Sequence, residues 1–294
     1  MVWDSNCTCV HLGNPRGWNT WNTVRAAKNP FFLRIIAFPE PCRHSRTLPC
    51  MSDVGNWPRR AAVFGSTGGI GRALCKVMAA RGCETVYAGS RAGREPAGPD
   101  ISPFAFDLAD EASIEAAAAA MKGSPPDLVI IASGVLTLAD GTGPERSLKR
   151  LDGAAMAEVF ALNTIGPALI AKHMLPLMPR GERFVFAALS ARVGSISDNG
   201  LGGWHSYRAS KAALNMLIRN FALEMLRTHG LGMIAGLHPG TVDSALSQPF
   251  QSNLRDGQLT KPEQAAANLL NVLDDLGPQH SGRVFDFKGD EIPA

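Results

Sequence analysis

Ala61-Ala62-Val63-Phe64-Gly65-Ser66-Thr67-Gly68-Gly69-Ile70-Gly71 decides the fold. An apolar run enters a glycine-rich turn, and residues 70–81 continue with helical spacing at Ile70, Leu74, Val77 and Met78. Such a strand-to-helix turn needs its glycines. One makes the tight bend; others let the backbone approach a pyrophosphate or pack helix on strand. The helix start then presents free N–H groups and the positive end of its dipole to an anion. A βα turn that binds nothing would look similar, but the position directly after the first strand favours the nucleotide reading.

Outward from this turn, strands and helices alternate. Strands are expected at 61–65, 85–88, 103–106, 127–132, 183–189, 233–237 and 283–287. Helices are expected at 70–81, 111–122, 152–178, 205–229 and 262–276, with Gly82 stopping the first, Asp110 capping the second and Pro262 opening the last. Residues 127–132 read DLVIIA, an apolar run without alternation, as in a strand buried on both faces. The rhythm predicts an α/β fold: a single Rossmann-type, doubly wound parallel sheet with helices on both faces.

The chain has 294 residues, 45% hydrophobic and 19% charged, which excludes wholesale disorder. It holds no run of 18 apolar residues, so no membrane span is expected. The net charge of +3 is uneven: residues 1–50 carry six basic and two acidic side chains, the remainder 23 and 24. No nucleic-acid footprint is expected on the body. Cys7, Cys9, Cys42 and Cys50 lie in the first 50 residues, leaving Cys75 and Cys83 beyond, as suits a reduced, cytoplasmic setting. Cys7 and Cys9 with His11 lack a second ligand pair, so no metal is expected. Residues 1–50 are read as an extension outside the fold, disordered or preceding a true start at Met51. A mitochondrial presequence is the lesser reading of the same stretch. The domain is placed at 58–294.

Tyr207-Arg-Ala-Ser-Lys211 puts a phenol and an ammonium four residues apart on one helix face. A phenol alone has a pKa of about 10, and a neighbouring cation favours the phenolate. The second predicted strand ends Ala88-Gly89-Ser90-Arg91. An acid there would hydrogen-bond a ribose 2′-hydroxyl; Arg91 suits a 2′-phosphate instead, with Ser90 as a further donor. Arg72 is read as a solvated cation. His205 and His238 are read as packing or surface residues rather than acid–base groups.

With these motifs the chain resembles the short-chain dehydrogenase/reductase family over about residues 58–290. The segments 192–199 and 202–215, with Lys288-Gly-Asp-Glu-Ile-Pro293, resemble the C-factor and Sniffer branch, which includes NADPH-dependent carbonyl reductases. The resemblance implies Tyr207 as general acid, Lys211 tuning it, and Asn163 holding a water in the proton relay. It places NADP(H), with NAD(H) as the alternative, along Gly65, Ser66, Thr67, Gly69, Ile70 and Gly71, with Ser66 or Thr67 supplying the hydroxyl. It adds Asp107 and Leu108 at the adenine, Ser133 and Gly134 where the family has Asn-Ala-Gly, and Pro239, Gly240 and Val242 at the nicotinamide. The family's serine falls on Ala191 when aligned on Gly194; Ser190 is the expected substitute and Ser195 the alternative. Residues 243–260 are expected as a lid. The implied activity is reduction of a ketone, aldehyde or quinone, in a homodimer or homotetramer. The alternative is a nucleotide-binding signalling protein with little turnover, which Ala191 favours. A nucleotide-sugar epimerase is disfavoured because the C-terminal region leaves little room for a sugar domain.

Overall fold

The computed structural model describes residues 57–253 and 257–294. The expectations for residues 1–50, including Cys7, Cys9 and His11, lie outside the described residues.

Strand β1 (Arg60–Phe64) lies inside an eight-stranded sheet of order β3-β2-β1-β4-β5-β6-β9-β10. Its neighbours are β2 (Thr85–Ser90) and β4 (Leu128–Ile131), with Val63 opposite both Ala88 and Ile130. The other members are β3 (Ile101–Ala105), β5 (Phe184–Leu189), β6 (Gly232–His238), β9 (Arg283–Asp286) and β10 (Glu291–Ile292). All pairings are parallel except β9 with β10.

Because successive strand residues face opposite sides, β1 feeds two cores. Ala61 and Val63 join Leu74 and Met78 of α1 (Gly69–Ala80) and Leu269 and Leu273 of α6 (Pro262–Asp275). Ala62 and Phe64 join Ile114 of α2 (Glu111–Met121), Ile170 of α4 (Gly166–Met174) and Ile218 of α5 (His205–Met225). Burial on both faces explains why the strands read as continuous apolar runs. The doubly wound parallel sheet is as expected, and Asp110 caps α2 through the Ala112 amide.

The expected helix 152–178 is interrupted. It consists of α3 (Gly153–Phe160), a π-helical turn (Ala161–Ile165), α4 and a short 3₁₀ turn. In the π turn the Gly166 amide reaches back five residues to the Ala161 carbonyl. By length and composition Gly153–Leu177 would suit a membrane, yet Ile170 and Met174 are buried against the sheet. The expected helix 205–229 ends at Met225, where residues 226–228 turn. A small pair, β7 (Thr241–Val242) with β8 (Leu259–Thr260), and β10 are additions the sequence reading lacks.

The strand order reverses at β1 and β4. The crevice beyond their C-terminal ends is where an open α/β sheet binds ligands.

Candidate active site

The glycine-rich turn is built for close approach. Gly65 has φ +104°, and a Cβ on Gly71 would lie 2.1 Å from the Gly65 carbonyl oxygen. Helix α1 starts at an extended Gly68 with no side-chain cap and no acid in its first turn, so its N-terminal amides remain available to an anion. Ser66 does not face the crevice. Its buried hydroxyl donates to the Gly89 and Glu95 carbonyls, both at 2.9 Å, tying the turn to the end of β2. Thr67 is exposed.

A cavity of about 420 Å³ opens above the turn, lined by Gly69, Ile70, Ser133, Gly134, Pro239, Tyr207 and Lys211 among others. The Ser133 hydroxyl donates to the Phe64 carbonyl at 2.8 Å, so it braces β1 against β4. Beyond this cavity, Ser90 accepts the Gly93 amide at 3.1 Å. Arg91 is exposed and makes no ion pair among the described residues. Arg72, read as merely solvated, pairs with Glu95 at 2.9 Å. Asp107 accepts the Ala109 amide at 2.9 Å, and Leu108 packs against Gly166. Gly240, at φ +75°, lies against Phe287, and Val242 is buried. The turn, Ser133–Gly134 and Tyr207–Lys211 therefore converge on one cavity, whereas Ser90, Arg91 and Asp107 are not among its lining residues.

Tyr207 and Lys211 occupy successive turns of α5, both buried. The Lys211 ammonium donates to the Leu189 carbonyl at 2.8 Å and stands 5.9 Å from the centroid of the Tyr207 ring. Burial pushes the Tyr207 phenol up to about 12 and the Lys211 ammonium down to about 8. The expected lowering by Lys211 is outweighed: with the ammonium turned to Leu189, burial of the phenol dominates. A phenol held neutral is a proton donor. Burial also lowers His238 to about 4, so it is uncharged at neutral pH.

Asn163 lies in the π turn, fully buried. Its amide clasps Val135 in both directions, accepting from the Val135 N–H at 2.8 Å and donating to the Val135 carbonyl at 2.9 Å. It also donates to the Ser210 hydroxyl at 3.2 Å, and Thr164 donates to the Ser210 carbonyl at 2.8 Å. The π turn thus docks on α5 one residue before Lys211. Gly134 fits between, because a Cβ there would lie 3.0 Å from Asn163 Oδ1 and 3.5 Å from Lys211 Nζ.

The expected serine is directed elsewhere. Ser190 lines the cavity, but its hydroxyl donates to Asn215 at 2.6 Å. Ser195 is buried and accepts the Asp198 amide. The side chain beside Tyr207 is Ala191, in a small apolar cluster with Leu136. The strand pleat gives the reason: adjacent residues at a strand end face opposite ways.

A second cavity, about 750 Å³, adjoins the first, and Leu136, Thr137 and Tyr207 belong to both walls. Its lining includes Glu145, which the sequence reading missed. The buried Glu145 carboxylate accepts the Ser206 amide at 3.1 Å and the Ser206 hydroxyl, and its carbonyl accepts the Trp204 amide. Burial alone would raise this acid, but the Ser206 hydrogen bonds prevail and lower it. Glu145 so caps α5, whose preceding residue Trp204 is left-handed at φ +50°. No local signal marks it, since its partner is 61 residues away.

Residues 59–255 match the short chain dehydrogenase family. The chain is 37% identical to the C-signal of Myxococcus xanthus over 169 residues, 58% of this chain and 93% of that one. It is 33% identical to a 1-hydroxy-2-glutathionyl-2-methyl-3-butene dehydrogenase of Rhodococcus over 225 residues, 75% and 93% of the two chains. Among solved structures, NADPH-bound carbonyl reductase from chicken fatty liver superposes with a TM-score of 0.69 at 27% identity, covering 81% of this chain and 94% of that one. The fold, the glycine-rich turn and the matched family agree: the chain belongs to the short-chain dehydrogenase/reductase family of oxidoreductases, close to its C-factor and carbonyl reductase members.

Proposed function

We propose that the protein is an NADPH-dependent carbonyl reductase acting on a ketone, aldehyde or quinone. One observation carries this reading: Tyr207 stands where the nucleotide-sized crevice meets the larger cavity, with Lys211 one helical turn away.

The crevice fits a dinucleotide. The uncapped start of α1 suits the pyrophosphate, and β2 ends without an acid beside Arg91, which has no ion-pair partner among the described residues and suits a 2′-phosphate. Bound NADPH supplies a hydride, and with it two electrons, to the carbonyl carbon. Tyr207 gives its phenolic proton to the carbonyl oxygen. The Lys211 ammonium stabilises the phenolate left behind, which regains a proton from solvent. Asn163 fixes the backbone at Val135 and, through Ser210, the helix carrying both groups. The NADPH-bound chicken carbonyl reductase supports this cofactor choice. Met216 and Leu223 on α5 remain exposed, and a homodimer would cover them.

Ala191 and the similarity to C-signal favour a second reading, a nucleotide-responsive signalling protein with little turnover. NADPH and NADH consumption over a panel of aldehydes, ketones and quinones, beside Tyr207→Phe, separates the two. The reductase reading expects turnover that Tyr207→Phe lowers roughly 10²–10⁴-fold while nucleotide binding persists. Tight nucleotide binding with no Tyr207-dependent turnover would favour the signalling reading.

A further inference from the structure

A carbonyl oxygen that gains negative charge is stabilised by more than one fixed donor, and each such donor is worth a large factor in rate. Tyr207 is one donor. The hydroxyls around it are mostly committed. Ser190 donates to Asn215, Ser206 to Glu145, Ser210 to the Tyr207 carbonyl and Ser133 to the Phe64 carbonyl. Position 191, beside the phenol, offers only a methyl group.

We infer that Thr137 supplies the second hydrogen bond to the substrate oxygen. Three residues belong to both cavity walls: Leu136, Thr137 and Tyr207. Of these, only Thr137 and Tyr207 carry hydroxyls. Thr137 is half-buried, and its hydroxyl has no hydrogen-bond partner among the described residues. Thr142 and Ser244 each line one cavity only, away from the junction.

The backbone carrying Thr137 is pinned on both sides. Before it, Val135 is clasped by Asn163 at 2.8 and 2.9 Å. After it, the Leu138 amide donates to the Thr142 carbonyl at 2.9 Å, and the Leu138 carbonyl accepts the Gly141 amide at 3.0 Å. A donor held this way needs little reorganisation when charge develops, which is what makes such groups effective. In the reaction Thr137 transfers no proton. The new C–H bond takes the hydride of the reduced nicotinamide, the new O–H bond takes the Tyr207 proton, and Thr137 only donates a hydrogen bond to the same oxygen. Ala191 is thereby explained as a position whose task has moved to the loop after β4.

This assignment rests on the carbonyl-reductase reading, and one set of variants keeps the two apart. The probe is whichever panel carbonyl gives the largest Tyr207-dependent rate. Thr137→Val, which keeps shape and removes the hydroxyl, is expected to lower kcat roughly 10²–10³-fold with NADPH Kd little changed. Thr137→Ser is expected to hold kcat within about tenfold, and Ala191→Ser added to Thr137→Val to recover about tenfold or more. Rescue by a hydroxyl delivered from a different element is a result that a packing role for Thr137 does not produce. A Thr137→Val enzyme within about threefold of the parent kcat, or a loss that Thr137→Ser shares in full, overturns the assignment while Tyr207 dependence leaves the reductase reading standing. Absence of any Tyr207-dependent turnover overturns both.

Discussion

Lys211 donates its hydrogen bond to the Leu189 carbonyl, 2.8 Å away, and not to Tyr207, whose ring centroid lies 5.9 Å from the ammonium. The end of β5 and α5 are therefore joined by a side chain that also lines the cavity above the glycine-rich turn. Its displacement from about 10.5 to about 8 and that of Tyr207 from about 10 to about 12 both come from burial.

These shifts set a pH profile. In carbonyl reduction the useful forms are charged Lys211 and protonated Tyr207. The log of kcat/KM for the free enzyme should fall as pH rises through about 8, when Lys211 loses its proton, while Tyr207 stays protonated well beyond. Lys211→Met should give a low rate without that limb. A fall that begins only near pH 10 would take the limb away from Lys211. Stability moves the other way in the same range. Between about 8 and 10.5 the unfolded chain keeps a lysine proton the folded chain has lost, so the Lys211 contribution to stability rises with pH across that window. For Tyr207 the folded state holds the extra proton, and its contribution falls between about 10 and 12.

Arg91 is exposed, and no carboxylate among the described residues pairs with it. Arg91→Ala should weaken NADPH binding about tenfold, the worth of one charge-assisted contact to a phosphate, and leave NADH nearly unchanged. Fluorescence titration with both nucleotides checks this; equal losses would place the 2′-phosphate elsewhere.

Asn163→Ala removes both side-chain partners of the Val135 backbone, a half-buried segment at the cavity wall. Leaving these groups to be met only by cavity water should cost about 1–2 kcal/mol, read by denaturant unfolding. Turnover should fall as well, because the segment carrying Gly134 and Thr137 loses its anchor. Parent-like stability would show that the clasp is replaced by other contacts.

The fold was legible because each buried strand announces itself as an apolar run and each helix by its period. β10 was not, because two residues after a tight turn carry no period, and the π turn was not, because Ala161–Ile165 reads like any helix interior. In the site, the glycine turn and Tyr207–Lys211 were legible from spacing. The directions of Ser66 and Ser190 were not legible, because a sequence names a hydroxyl but not where it points; in the structure both bond within the fold, to Gly89 and Asn215. Glu145 was invisible because its meaning lies in contacts made across the fold, with Ser206 and Trp204.

The Glu145 cap gives the loop after β4 two different ends. Near Ser206 it is fastened to α5, whereas Gly141, Thr142 and Gly143 are exposed and line the larger cavity. Side-chain changes at that tip can therefore alter the wall of the larger cavity while the Glu145–Ser206 anchor stays in place. Changes of length are different, because the Leu138–Thr142 and Gly141–Leu138 hydrogen bonds tie the tip to the backbone that follows Thr137.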